Sequence, residues 1–315
     1  MIDEFADALD PSKVHVLSPT QFVFLCGGRM TDLGVQPPVS LRDAFYKIVE
    51  FEPLKGAGVV RAEDIEALHI ARANYSDLLS FELDLAQLAK LTVIFSESHG
   101  SLAELGAFCL IPEIAKRMLV LIRSDHYEES SFIRLGIVDF MNEKYGELSH
   151  FVMDKAGLSL SGSSVTEVTA NELQKMLSNP VTLRISEIEN PTTFNAELAG
   201  HRIKLVVGLI QEFGALTPEE ISTLLLAFEL DVSPREIDRY LLCAEAVGWV
   251  VRKRKGFRNF AAARDLPRDS ANFRFKPETT DRTASRRRAA RRSMLKDSDP
   301  ERFAAILDGM GIAHG

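Results

Sequence analysis

A polar loop leading into a helix has the clearest chemical potential in this sequence, and it reads SESHGSLAELGAF over residues 96–108. It follows the apolar run LTVIF (residues 91–95), which predicts a buried strand. Small polar residues between a strand and a helix leave backbone N–H groups free for a phosphate or hydroxyl ligand. Glu104 is expected in the first helical turn, where the helix dipole favours its ionised form. An ionised carboxylate can attack an anomeric carbon or stabilise an oxocarbenium-like centre.

A purely structural interpretation of Glu104 fits the same residues. Ser101-Leu-Ala-Glu104 has the spacing of a capping box, in which the glutamate hydrogen-bonds back to the first residue of the box. Spacing alone favours this interpretation over the catalytic one.

The segments that must hold this loop alternate between strands and helices. Strands are predicted at residues 21–26, 56–60, 91–95, 118–122 and 151–153, and helices at 41–51, 63–90, 102–116 and 165–177. The alternation indicates an α/β fold, a Rossmann-like parallel sheet flanked by helices. Ligands of such sheets bind outside the carboxyl ends of the strands, where the turn 26–28 and the loop 96–101 both fall. We expect residues 1–190 to form this domain.

The sequence from residue 200 onward has a different pattern. Two capping boxes, Thr217-Pro-Glu-Glu220 and Ser233-Pro-Arg-Glu236, mark helix starts after a first helix at 201–213. Strands are expected at 249–251 and 257–261 around a basic turn at 252–256. Three helices and a basic hairpin predict a small winged helix-turn-helix domain at 200–262. Residues 263–315 are expected to form a basic tail that can be disordered until a partner binds.

Charge is unevenly distributed along the chain. The net charge of the 315 residues is −8, yet residues 252–292 contain 15 lysines and arginines against four acids. This asymmetry favours a protein in which one part binds a small molecule and another binds a polyanion. A solvated basic tail explains the charge equally well.

Several classes of protein are disfavoured by composition. No apolar run reaches the roughly 18 residues of a membrane helix, and the acidic N-terminus does not resemble a signal peptide. Three cysteines (Cys26, Cys109 and Cys243) are too few and too scattered for a disulfide framework or a zinc site. We expect a cytoplasmic protein that uses no metal and no cofactor.

Three pieces of the first half resemble the nucleoside deoxyribosyltransferases in order and spacing. They are FLCGG (24–28), LSFE (79–82) and IFSESHGSLAELGAF (94–108). They are most similar to the deoxyribosyltransferase-like effectors of retron antiviral systems, which also carry a winged-helix DNA-binding domain. The resemblance covers residues 20–125 well, and residues 200–262 only in architecture.

The resemblance implies roles for particular residues. Glu104 would be the nucleophile on C1′ of the sugar, and Glu82 would contact the sugar or base, with Asp84 as the second choice. The implied substrate-binding residues are Cys26, Gly27, Gly28, Ser96, Ser98, Gly100 and Ser101. The residues expected to bind nucleic acid are Lys253, Arg254, Lys255, Arg258, Arg286, Arg287 and Arg288.

Other positions depart from the family pattern or have two interpretations. Lys90 stands where the transferases have an acid, which leaves base recognition and transfer open. His99 replaces a small residue or proline, and a loop histidine is more often exposed than catalytic. Glu63 and Asp64 would be either pocket acids or an ordinary charge pair at a helix start.

The implied function is that of an antiviral effector with N-glycosidase activity on NAD or a purine nucleotide. Its expected partners are the multicopy single-stranded DNA of a retron with its RNA, a reverse transcriptase, and further copies of itself. Two alternatives remain. A winged-helix transcription regulator would sense a nucleotide without turnover, and a salvage deoxyribosyltransferase would have no evident use for a winged helix.

Overall fold

The computed structural model describes residues 1–48, 54–55, 57–61, 63, 74–160, 164–186, 192–277 and 283–312. Its helices are α1 (Ile2–Ala8), α2 (Leu41–Tyr46), α3 (Leu78–Ala86), α4 (His99–Phe108), α5 (Pro112–Ala115), α6 (Ser124–Glu128), α7 (Asp139–Tyr145), α8 (Ala170–Ile185), α9 (Ala199–Phe213), α10 (Pro218–Leu226), α11 (Pro234–Ala246), α12 (Ala284–Ser298) and α13 (Pro300–Gly309). Its strands are β1 (His15–Val16), β2 (Phe22–Cys26), β3 (Gly58–Val60), β4 (Leu91–Phe95), β5 (Met118–Arg123), β6 (His150–Met153), β7 (Thr192–Thr193), β8 (Ala215–Leu216), β9 (Val250–Lys255), β10 (Arg258–Ala263) and β11 (Ala271–Asn272). Within these ranges, no helix is both long and apolar enough to cross a membrane.

The chain divides into two units. The sheet unit comprises Gln21–Asp64 and Leu85–Ile188, and the terminal unit comprises Met1–Thr20, Ile65–Asp84 and Glu189–Gly315. This division differs from the boundaries expected at residues 190 and 200. The reason is long-range strand pairing, because β1 near the N-terminus pairs with both β7 and β11.

The sheet unit contains a five-stranded parallel sheet in the order β3-β2-β4-β5-β6. Strands β2, β4 and β5 are buried along their whole lengths, as their continuous apolar sequences predict. The predicted parallel α/β sheet is therefore confirmed. After β2 the chain enters β3 on one side and later β4 on the other, so the strand order reverses between β2 and β4.

Helix α8 differs from the prediction, which ended a helix at residues 178–180. It continues through Pro180 to Ile185, and its start is a capping box formed by Thr169 and Glu172. Proline inside a helix costs about 3 kcal/mol. Leu173, Leu177 and Val181 are fully buried in the core of the sheet unit, and each such side chain contributes about 1.5–3 kcal/mol. Burial on both sides of Pro180 therefore outweighs its cost.

The terminal unit contains α9, α10 and α11 with an antiparallel sheet in the order β8-β10-β9. The capping boxes expected at Thr217 and Ser233 are both confirmed. Strand β9 extends through Lys255 and pairs with β10 up to Arg258. Residues 252–255 are thus strand where a turn was expected, and the turn itself includes Gly256, whose positive φ of 57° favours glycine.

The C-terminal residues form two helices where a disordered tail was expected. Leu295 of α12 and Ala305 and Ile306 of α13 are buried in a small core with Phe260 and Ala262 of β10. The sequence gives little sign of this apolar face, because its few apolar residues are divided between two helices rich in charged residues. Residues 278–282 and 313–315 of the expected tail lie outside the described residues.

Candidate active site and basic hairpin

A cavity of about 620 Å³ lies at the carboxyl ends of β2, β4 and β5. Three of the predicted substrate-binding residues, Gly28, Ser96 and Ser98, line it together with Glu97 and the exposed His99. The cavity has the size of a small-molecule site. It also lies where the strand order reverses, which is where open parallel sheets bind their ligands.

Glu97 shapes this cavity, although its place in the sequence gives no sign of this role. Its carboxylate accepts hydrogen bonds from the backbone N–H groups of Gly28 (3.0 Å), Leu41 (2.8 Å) and Arg42 (2.9 Å). Leu41 and Arg42 begin α2, where N–H groups have no partner inside the helix and a negative charge is favourable. Glu97 therefore joins the β2 turn to the start of α2. Its partners are 55 to 69 residues away in sequence, so no local pattern indicates them.

Helix α4 begins three residues earlier than predicted. Ser98 is its N-cap and forms a capping box with Ser101, whose hydroxyl accepts from the Ser98 N–H at 3.0 Å. The capping box expected between Ser101 and Glu104 is therefore wrong. Glu104 lies in the second turn of α4, and Ser101 is buried with its hydroxyl committed to the cap.

Glu104 is half-buried against Cys26 at the end of β2. The pKa of Glu104 is raised, mainly by burial and to a smaller extent by the negative charge of Glu63. A hydrogen bond from the Cys26 thiol and the positive charge of Arg42 act in the opposite direction. The dipole of α4 was expected to stabilise the ionised form of Glu104 from the first turn. Glu104 lies in the second turn, and the effect of the dipole falls off within one turn. Oε2 of Glu104 is buried and has no hydrogen-bond partner among the described residues, so one acceptor on this carboxyl is uncommitted.

Arg42 forms the main positive charge near Glu104. Its buried guanidinium donates to the carbonyl of Leu25 (2.7 Å) and to both carboxylate oxygens of Glu63 (2.5 and 2.9 Å). Burial would raise the pKa of Glu63, but the hydrogen bonds and charge of Arg42 lower it overall. Glu63 is therefore an ionised partner of Arg42. Asp64, considered with it, lies outside the described residues.

The two glycines after β2 are required by close packing. A Cβ atom at Gly27 would lie 2.8 Å from Cβ of Arg42, and one at Gly28 would lie 2.8 Å from Cβ of Ser40. These contacts explain the glycines without any ligand. The lining residues described for the cavity do not include Cys26, Gly27, Gly100, Ser101 or Glu104. Gly100 is exposed in the first turn of α4.

Glu82 and Asp84 lie on α3, in the part of this helix that belongs to the terminal unit, and both are buried. Asp84 accepts a hydrogen bond from the Tyr75 hydroxyl at 2.7 Å and lies 3.5 Å from the Arg239 guanidinium. Burial raises the pKa of Asp84, although Tyr75 and Arg239 oppose the shift. Asp84 is thus committed to a polar cluster, and the substrate role of Glu82 stays a prediction.

The β9–β10 hairpin presents only part of its positive charge to solvent. It contains four predicted nucleic-acid-binding residues: Lys253, Arg254, Lys255 and Arg258. Arg254 is exposed and Lys253 is half-buried. Lys255 pairs with Asp308 at 2.9 Å, and Arg258 pairs with Asp299. Helix α13 and the residue before it therefore neutralise half of these four charges.

Helix α12 contains the other three predicted nucleic-acid-binding residues. Arg286 is exposed. Arg287 pairs with the buried Glu212 at 2.7 Å, and Arg288 pairs with Asp269 at 2.7 Å. These two arginines hold the terminal unit together, so their availability to a nucleic acid is reduced.

The fold and the site define an α/β protein with a cavity at the switch point of its sheet and a basic hairpin in a second unit. Residues 38–252, about two thirds of the chain, match the family described as the STM3845 retron effector protein. The chain belongs to this family. It is also 26% identical over 222 residues to a candidate ribosyltransferase/DNA-binding protein of retron Ec73 from Escherichia coli, an alignment that covers 66% of this chain and 68% of that protein. The retron part of the resemblance is confirmed.

Proposed function

We propose that this retron effector cleaves the base–sugar bond of a nucleotide, with NAD or a purine nucleotide as the substrate class. The observation that carries the proposal is the Glu104 carboxyl, which is half-buried and keeps one oxygen without a hydrogen-bond partner among the described residues. A capping role does not explain this residue, because Ser101 forms the capping box of α4 with Ser98. The relative from retron Ec73 is named as a candidate ribosyltransferase, a class that breaks a bond of the same type.

In the proposed reaction, ionised Glu104 attacks C1′ of the sugar and forms an ester with it. The C1′–N bond breaks, and its electron pair leaves with the base. A purine takes up a proton as it leaves, whereas nicotinamide leaves neutral because its ring nitrogen was cationic in NAD. Water then attacks C1′ and frees Glu104, or a second base does so and completes a transfer. A raised pKa makes the ionised carboxylate a stronger base and a better nucleophile. Glu82 is proposed to orient the substrate.

Incubation of the purified protein with a panel of nucleotides, followed by chromatography for free base, tests this function. Release of adenine, guanine or nicotinamide from one class of nucleotide would support it. A nucleotide that binds but is not cleaved would instead favour the transcription regulator that senses a nucleotide.

The dependence of cleavage on pH follows from the state of Glu104. Because the nucleophile must be ionised, we expect kcat/KM to rise with pH, with a midpoint above 4.5, the ordinary value for glutamic acid. If Glu104 acted as a general acid instead, it would have to be protonated, and kcat/KM would fall as pH rises. Steady-state rates between pH 4 and 8 distinguish the two roles.

Glu63→Gln provides the matched test of this assignment. The Glu63 charge helps to raise the pKa of Glu104, whereas Arg42 lowers it. Removing the Glu63 charge leaves Arg42 unneutralised, so the rising limb should move to lower pH. If the pH dependence of kcat/KM is the same in Glu63→Gln as in the wild type, Glu104 is not the group whose ionisation controls the rate.

We further propose that residues 199–263 form a winged helix that binds retron DNA. The element order α9-β8-α10-α11-β9-β10, with β10 between β8 and β9, supports this assignment. Helix α11 would then be the recognition helix, and the β9–β10 turn would be the wing. The effector, as a homo-oligomer, would bind the single-stranded DNA of the retron with its RNA, and through this nucleic acid a reverse transcriptase. These partners would keep its activity restrained until infection.

The two halves of the hairpin charge should contribute unequally to nucleic-acid binding. We expect Lys253→Gln/Arg254→Gln to lower the slope of log affinity against log salt by about 0.7 for each lost contact with a single strand. Lys255→Gln/Arg258→Gln removes the same charge, but its cations already pair with Asp308 and Asp299, so a smaller change is expected. Filter binding over a range of salt measures both. Equal slopes for both double variants and the wild type would exclude the hairpin as the contact.

A further inference from the structure

A second cavity, of about 510 Å³, lies within the terminal unit. Its walls come from the residues around β11, the end of α9 and the start of α12. Four arginines line it: Arg268, Arg274, Arg287 and Arg288. Two of them, Arg268 and Arg274, have exposed side chains and were not singled out by the sequence.

The lining of this cavity has an excess of positive charge. Its acids are Glu212 and Asp269, two against the four arginines. Glu212 is fully buried and pairs with Arg287 (2.7 Å), Arg288 (3.5 Å) and Arg291 (2.6 Å). Asp269 pairs with Arg288. Both acids are therefore already paired with arginines. Because four arginines face two acids, two positive charges of the lining are not balanced by a lining acid.

Hydrogen-bond donors also lie at this cavity. Nε of Arg288 makes no hydrogen bond to the described residues, but it lies 3.5 Å from the Glu212 carboxylate, so Arg288 is ion-paired with both lining acids. Thr283 and Ala284, at the start of α12, also line the cavity, and the Thr283 side chain does not cap the helix. The first N–H groups of a helix have no acceptor inside it. Donors and excess positive charge thus meet at one cavity.

We propose that this cavity binds a phosphate monoester. Near neutral pH such a group carries a charge of about −1.5 to −2 and offers three acceptor oxygens, which matches the two excess charges. Arginine is suited to phosphate because its planar guanidinium can donate two parallel hydrogen bonds. The group belongs either to a free nucleotide or to the phosphorylated end of a nucleic-acid strand. The site is independent of the proposed glycosidic cleavage.

The test compares two labelled single-stranded oligonucleotides that differ only in a 5′-phosphate or 5′-hydroxyl, together with AMP. All measurements use the full chain with Glu104→Gln, so that turnover does not interfere and a failed glycosidase proposal leaves the result readable. We expect the 5′-phosphate to strengthen binding in fluorescence anisotropy, or AMP to bind in calorimetry, or both. Arg274→Gln should weaken the phosphate-dependent binding about tenfold.

Arg292→Gln is the control, because Arg292 is an exposed arginine of α12 that does not line the cavity. It removes the same charge and should leave the phosphate preference intact. A preference for the phosphorylated strand alone identifies a strand end as the ligand, and AMP binding that is sensitive to Arg274→Gln identifies a free nucleotide. No preference and no AMP binding, or equal losses in Arg274→Gln and Arg292→Gln, would overturn the proposal.

Discussion

Glu104→Gln is expected to reduce base release by several orders of magnitude and to raise the melting temperature. Removing a nucleophile eliminates the bond-forming step, which accounts for the loss of activity. The gain in stability follows from the raised pKa of Glu104. Because the fold disfavours the ionised carboxyl, the folded-state pKa lies above the ordinary value. Stability is therefore lost as pH rises from the ordinary pKa through the folded-state pKa. Glutamine cannot ionise, so this loss is absent at neutral pH.

Chromatographic assays of base release and thermal unfolding at pH 7.5 check both effects in one preparation. Glu143→Gln, an exposed glutamate on α7 of the sheet unit, controls for removal of a surface charge and should change neither. Activity of Glu104→Gln within about tenfold of wild type, with an unchanged melting temperature, would contradict the nucleophile assignment.

Glu97→Gln is expected to lower the free energy of unfolding by about 2–4 kcal/mol, since hydrogen bonds to a charged group are worth roughly 1.5–3 kcal/mol each. Three backbone N–H groups donate to the Glu97 carboxylate. An amide has only one oxygen, and its NH₂ group would face donors rather than acceptors. At least one N–H would therefore remain unsatisfied.

Urea unfolding followed by circular dichroism measures this change as a lower midpoint at an unchanged slope. Glu143→Gln again serves as the control. Because the Glu97 carboxylate fixes the Gly28 turn that lines the 620 Å³ cavity, we also expect the Michaelis constant to rise. A midpoint equal to that of wild type would show that Glu97 does not hold the loops together.

The sequence predicts the parts of this fold that depend on local chemistry. Strands β2, β4 and β5 are evident because each is a continuous apolar run between polar loops. The capping boxes at Thr217 and Ser233 are evident because both partners lie within four residues of each other. The Ser98–Ser101 box was missed because serine replaces the usual glutamate, and Glu104 was consequently placed one turn too early.

Features that depend on distant partners could not be predicted in this way. Glu97 looks like a surface acid until Gly28 and α2 are brought to it by the sheet. The basic residues of the hairpin and of α12 read as a free polycation, because Asp308 and Glu212 lie far from them in sequence. Pro180 reads as a helix end, because the burial that sustains α8 becomes evident only in the assembled core.

The pairing of β1 with β11 has a consequence for the order in which this chain assembles on the ribosome. His15 pairs with Asn272, so the N-terminal strand must wait for most of the chain to be synthesised. Strands β2 to β6 all fall between residues 21 and 188 and can pair as soon as that segment emerges. Each round of translation therefore includes an interval in which the sheet beside helix α4 and Glu104 can form, while the unit with the basic hairpin is still incomplete.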